Sequence, residues 1–351
     1  MSGFVSARGR VVTTRRLVAV LAISALACAL VGLFAPQLGV VATRTGRALD
    51  LLGFGAFDPA HPEHKILMVR LPRVLGAMLV GAALAGAGTA FQALFRNPLA
   101  EPFTLGISSG ASLAAVLAIR LGIESAYGGA GIALSALGGA IATSIIVERL
   151  GRVGRELPPA TLVLAGITMS MFCSAASVLI QYTSDFRDVG RILAWMVGGL
   201  DSIRIGGVQY AAIPITLALL ALFAYARELN ALAAGPDVAA SLGVAVARTQ
   251  LILFAIAALL VGISIALAGP IGFIGLVVPH TLRALLGPDH RILLPASMFG
   301  GAILLVVCDT FARTLIAPAH LPTGAVTAVL GGPFFMYILI AQKHRAAMWG
   351  R

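Results

Sequence analysis

Ten apolar stretches, most close to helical membrane-crossing length, run along this chain at residues 17–40, 71–95, 103–122, 128–148, 160–182, 208–226, 249–269, 272–286, 292–316 and 322–341. At 1.5 Å per residue, about 20 helical residues cross the ~30 Å hydrocarbon core of a bilayer. In lipid an unpaired backbone group is so costly that only helices and closed barrels span the core. A barrel would show alternating strands of about ten residues, whereas these runs are continuous. Only 11% of the residues are charged and 59% are hydrophobic, against about 25% charged in a soluble domain. The expectation is an all-α polytopic membrane protein with about ten transmembrane helices, forming one domain over residues 1–351. The eighth stretch is short and bounded by turns. Breaks such as Asn97-Pro98, Pro158-Pro159, Gly287-Pro288-Asp289 and Leu321-Pro322 supply the turn residues that end helices.

The formal charge of +11 does not indicate nucleic acid, because the basic residues sit singly between apolar stretches. In a membrane chain that distribution reports topology. With ten alternating spans and a cytoplasmic N-terminus, fifteen Lys and Arg fall inside and ten outside. This bias favours both termini in the cytoplasm, with a short N-terminal segment at 1–16. Arg15 and Arg16 precede the run Leu17–Phe34, which is long for a signal peptide and reads as a first membrane helix. Cys28, Cys173 and Cys308 lie far apart inside apolar runs, so neither a zinc site nor a disulfide framework is indicated.

Chemistry that would power or catalyse a reaction is missing from the sequence. There is no GxxxxGK[ST] loop for ATP and no HExxH, and no cofactor is expected in this chain. Asp309 and Glu101 are the acidic residues nearest an apolar context and are expected at helix ends. An ion-coupled transporter would need ionisable or unwound positions near the midplane, and a membrane enzyme would need a nucleophile or metal cluster. Neither constellation appears, so the energy for any transport must come from another subunit. His280, in Pro279-His280-Thr281-Leu282-Arg283, reads as a packed histidine rather than a metal ligand.

One stretch breaks the apolar pattern without being a simple turn. Residues 229–248 are rich in small side chains and contain Gly235-Pro236-Asp237 and Leu242-Gly243. They read as two short helices, with Asp237 capping the second.

Residues 70–117, RLPRVLGAMLVGAALAGAGTAFQALFRNPLAEPFTLGISSGASLAAVL, carry a long ordered signature. Further signatures are ALAGPIGFIGLVVPHTLR at 266–283, LPTGAVTAVLGGPFFMYIL at 321–339 and LNALAAGPDVAASLGV at 229–244. Together they resemble the permeases of binding-protein-dependent ABC importers for ferric siderophores, haem and cobalamin, the FecCD transport family. The resemblance implies a ten-helix subunit that dimerises, most simply as a homodimer, in the bacterial cytoplasmic (inner) membrane. It implies two separate ATP-binding cassette ATPase subunits, which bind the ATP and Mg, and a periplasmic or lipid-anchored substrate-binding protein. It also implies an inverted repeat relating helices two to five to helices seven to ten.

The same resemblance assigns roles to residues. Arg70, Arg73 and Arg313 would receive carboxylates from the binding protein, a task suited to the planar, always-charged guanidinium. Arg313 also stands four residues after Asp309, the spacing of a helical ion pair. The segment with Leu229, Ala234, Gly235, Pro236, Asp237, Leu242 and Gly243 would sit in a cleft of the ATPase and transmit its closure. Asn97, Leu99, Pro159 and Ala160 would narrow the path at the cytoplasmic side, although Pro159 and Ala160 replace small hydroxyl residues of a relative. The cargo implied is an iron complex, foremost a ferric siderophore, with haem or cobalamin on the same scaffold.

Overall fold

In the computed structural model residues 14–39, 58, 61–123, 129–154, 156–316 and 319–349 are described. Residues 1–13 of the expected N-terminal segment lie outside them, as do Arg44, Arg47, Arg155 and Arg351 from the charge count. α1 spans Thr14–Phe34 and α2 spans Pro62–Leu94; α3 (Ile107–Arg120), α4 (Gly129–Gly151) and α5 (Pro159–Tyr182) follow. α6 (Phe186–Val197) precedes α7 (Ile205–Ala224), the short pair α8 (Ala226–Ala234) and α9 (Pro236–Ser241), and α10 (Val246–Ala268). Then come α11 (Ile274–Leu286), α12 (His290–Thr314) and α13 (Thr323–Trp349).

α1, α2, α4, α5, α7, α10 and α12 are each long and apolar enough to cross a bilayer, and α3, α11 and the Thr323–Ile338 part of α13 contribute shorter apolar segments. These ten match the expected spans one for one. Among the described residues there is no strand, only an isolated bridge between Val153 and Glu156.

Two differences from the sequence expectation affect the sites. α2 starts at Pro62 rather than 71, because His61 caps it by accepting the Glu63 amide on its ring and Pro62 fits the first turn. Arg70 and Arg73 are therefore more than two turns inside the helix. α6 was not expected at all. Its 12 residues are too few and too polar for a span, yet Ile192 is fully buried, and the half-buried Asp188 and Arg191, one turn apart, pair with each other. A search for helix-length apolar runs passes over such an amphipathic segment.

α2 is the central column, packed against α12, α10, α11 and α7. Small residues make this possible, as expected where lipid offers no hydrophobic drive between helices. A Cβ on Gly81 would strike the backbone of Gly301 on α12, and one on Gly88 would strike the backbone of Gly275 on α11. Glycine at these positions sets the close approach of three helices.

α3 and α11 stand at corresponding places of the implied inverted repeat, and both are half-length. α3 follows the 3-10 turn Pro102–Leu105 and α11 a non-helical stretch, and each starts from a left-handed N-cap, Gly106 at φ 74° and Phe273 at φ 69°. Residues 269–273, outside any helix, lead into α11, whose first turn already packs on α2 at Gly88 and Leu84. Glu101, from the connection between α2 and α3, reaches across and accepts the Phe273 amide at 2.6 Å. The carboxylate thus satisfies a donor that a broken helix would leave unpaired. The acidic side chain expected at a helix end is at one, the N-cap of the 3-10 turn Pro102–Leu105, and also serves as a strut between the two half-helix entrances. Burial pushes its carboxyl up, and the Phe273 amide offsets part of that rise.

Candidate functional site

Two polar clusters stand at opposite ends of α12. The end assigned to the outside by the charge count holds Asp309, 1% exposed. Its Oδ1 and Oδ2 each accept from Arg73 Nε at 2.9 Å, and Oδ1 also accepts from Arg73 Nη2 at 2.7 Å. Arg313 Nε donates to Oδ2 at 3.1 Å and the Thr323 hydroxyl donates to Oδ1 at 2.9 Å. The remaining Arg73 nitrogen, Nη1, pairs with Asp201 in the turn between α6 and α7. Arg313 further donates to the carbonyls of Leu38 and Ala35 and to the Thr310 hydroxyl.

One carboxylate therefore ties α2, α12 and the start of α13 together, while Arg313 adds the segment just after α1 and Arg73 the α6–α7 turn. A buried charge is tolerated only with such full pairing. The (i, i+4) pair of Asp309 and Arg313 foreseen in the sequence is present, and Arg73 completes it. Arg70, half-buried, donates through Nη1 to the Pro36 carbonyl at 3.2 Å. The structure thus gathers Arg70, Arg73 and Arg313 at one end, with Arg70 the most accessible. Asp201 and Thr323 were missed, since neither lies near the arginines in sequence.

At the opposite end, assigned to the cytoplasm by the charge count, residues 229–248 form two short helices as expected, α8 and α9, leading into α10. The cap differs: Gly235, at φ 130°, is the N-cap of α9, and Asp237 lies inside its first turn with no side-chain cap bond. There its charge still favours the helix N-terminus through the backbone dipole. Leu229, Leu232 and Ala239 are buried, anchoring the element, while Ala234, Pro236, Asp237, Leu242 and Gly243 are exposed. Val238 at 45% and Leu242 at 69% give this polar end an accessible apolar surface.

Asn230 fastens α8 to the start of α12. Its Nδ2 donates to Asp289 Oδ1 at 2.9 Å, and its Oδ1 accepts the His290 amide at 2.8 Å. Asp289 caps α12 through the Arg291 amide and pairs with the Arg291 side chain at 2.6 Å. Burial works to raise the Asp289 carboxyl, but hydrogen bonds from Arg291 and Asn230 outweigh it and bring its pKa to about 2. Asn230 was visible as a polar residue within the 229–248 stretch, but its partner was not.

The remaining predicted residues lie near the same end. Asn97 is exposed and its Oδ1 accepts the Leu99 amide at 3.0 Å, closing an Asx-type turn with half-buried Leu99. Pro158 is the N-cap and Pro159 the first residue of α5, followed by exposed Ala160. Leu94 and Phe95 at the end of α2 share a small cavity with Leu157 and Leu162 around that second turn. The His280 ring lies against the Pro98 backbone of the first turn. No group of three or more His, Cys, Asp or Glu side chains suited to a metal occurs among the described residues.

The FecCD transport family profile matches residues 25–341. The chain is 42% identical over 290 residues to the hemin transport system permease protein HmuU of Yersinia pestis, covering 80% of this chain and 85% of that protein. It is 41% identical over 284 residues to the vitamin B12 import system permease protein BtuC of Klebsiella pneumoniae, covering 80% of this chain and 83% of that protein. Among solved structures it resembles a metal-chelate type ABC transporter in an inward-facing conformation. The TM-score is 0.78 at 28% identity, over 92% of this chain and 99% of the other.

Proposed function

The chain belongs to the FecCD transport family, and from that premise we propose that it is the permease subunit of an ABC importer. It moves a metal chelate into the cytoplasm with energy from separate ATPase subunits. The observation that carries this reading is the pairing of two specialised ends on one helical bundle that has no ATP-binding loop of its own. One end gathers three arginines around a buried carboxylate. The other presents a small-residue helix pair with exposed Val238 and Leu242.

In this reading two copies of the chain enclose the path in the bacterial inner membrane. A substrate-binding protein places carboxylates at Arg70, Arg73 and Arg313. The partner ATPase receives the element with Leu229, Ala234, Gly235, Pro236, Asp237, Leu242 and Gly243. The rigid tie through Asn230 supports that role, because a force on α8 acts directly on α12. Asn97, Leu99, Pro159 and Ala160 flank the inner mouth of the path. Chemistry on the chelate is not part of this role, and selectivity belongs mainly to the binding protein.

The sequence reading favours a ferric siderophore as cargo, while the haem and vitamin B12 transporters among the relatives favour a tetrapyrrole. The test is uptake of labelled ferric siderophore, haem and cobalamin, in parallel, by cells with and without this chain. Loss of one class names the cargo. Uptake that depends on this chain yet survives an inactive ATPase refutes the ABC mechanism.

A further inference from the structure

The outer arginines are not equally open to an incoming partner. Arg73 is 8% exposed and Arg313 is 5% exposed, because Asp309 fills the Nε and Nη2 edge of Arg73 and also binds Arg313 Nε. The edge of Arg73 that remains is the one bearing Nη1, and Asp201 covers it. Asp201 is held there by its neighbours. Leu200 and Ile203 are buried on either side, and Ile203 packs into the space left by Gly76, one turn beyond Arg73 on α2. The Asp201 side chain is 51% exposed against 10% for Arg73. A carboxylate approaching from outside meets Asp201 before it can reach Arg73.

We propose that Asp201 is a built-in surrogate for the docking partner's carboxylate. It holds Nη1 of Arg73 in the free permease and gives it up when an acidic side chain of the substrate-binding protein arrives. This rests on the docking reading of Arg70, Arg73 and Arg313. The charges fit an exchange. Arg70, Arg73 and Asp309 all act electrostatically on Arg313, and Asp201 pairs with Arg73, so three cations face two carboxylates, an excess of one positive charge. Displacing Asp201 raises the excess to two and makes the patch more attractive to an anion.

The two carboxylates differ in how easily they are replaced. Asp309 is buried and accepts from Arg73, Arg313 and Thr323, and its removal would strand buried charge. Asp201 makes one half-exposed contact, and such a pair contributes about a two- to fivefold effect on an equilibrium. Exchange at that position keeps Arg73 paired both before and after docking. It also trims the docking affinity, which favours release of the binding protein after delivery.

The experiment uses the full-length permease in lipid nanodiscs and the substrate-binding protein of the same importer, immobilised. Asp201→Asn is expected to bind that protein about two- to fivefold more tightly than wild type. The gain should shrink as salt rises. Asp201→Glu, which restores the charge, should return to wild-type affinity, and Asp201→Ser should match Asp201→Asn. Thermal unfolding of the same samples reports any purely structural role. Unchanged or weaker binding by the Asn and Ser variants overturns the surrogate role. Arg70→Glu separates the two levels. If it weakens binding while the Asp201 variants do nothing, only the surrogate role falls. If Arg70→Glu also leaves binding unchanged, the docking reading falls with it.

Discussion

Replacing Asp309 by Ala would leave the guanidinium groups of Arg73 and Arg313 facing each other in a nearly dry interior, with only Asp201 left as a carboxylate partner. Both arginines are buried, and Asp309 accepts from each of them as well as from Thr323. Removing one partner of a buried pair costs about 3–5 kcal/mol, because the stranded charge keeps its desolvation penalty. Asp309→Ala should therefore be among the most destabilising single substitutions in the chain. Arg73→Ala should cost less, since Asp309 then still holds Arg313 and Thr323. The double variant is the decisive one. With Arg73 gone, loss of Asp309 strands one arginine rather than two, so the double variant should cost less than the sum of the singles by about 1–3 kcal/mol. Chemical unfolding of the purified protein, followed by intrinsic fluorescence, supplies the four stabilities of the cycle. Costs that add within about 0.5 kcal/mol would show that the two side chains act independently. The account of the outer cluster as one electrostatic unit would then be wrong.

Gly88→Ala should destabilise by about 1–3 kcal/mol, the cost of overpacking, because its Cβ meets the Gly275 backbone. Gly138, with nothing within 4 Å of a Cβ, is the control whose Ala variant should unfold like wild type. Glu101→Ala should cost about 1–3 kcal/mol by orphaning the Phe273 amide, whereas Glu101→Gln, which keeps an acceptor, should cost clearly less; equal losses would discount the strut. Gly235→Val forces a β-branched residue to φ 130° and should misplace α9, so that ATP hydrolysis persists in the assembled importer while uptake falls; normal uptake would count against the coupling role. Asp289, held at about 2 against an ordinary 3.8, contributes stability that is complete above pH 4 and is lost as pH falls toward 2. Unfolding of the Asp289→Asn variant should lack that component of acid sensitivity, and an unchanged acid profile would show that Asp289 does not supply it.

Much of this architecture is written locally. The length of each apolar run reports a span because lipid forces every backbone group to pair within its own helix, and that demand acts residue by residue along the chain. The same local logic exposed the two short helices around Gly235-Pro236 and the (i, i+4) spacing of Asp309 and Arg313. Local logic failed where a segment faces two media at once, as in α6, or where helix capping draws the start of α2 back to Pro62. It also could not say what the polar residues at the helix ends do. Arg73 lies 236 residues from Asp309 and 128 from Asp201, and Glu101 lies 172 from Phe273. No spacing rule links such positions. They meet because glycines on α2, α11 and α12 let three helices close to backbone contact. Once that packing excludes water, each buried charge and broken-helix amide must take its partner from whichever element lies within reach.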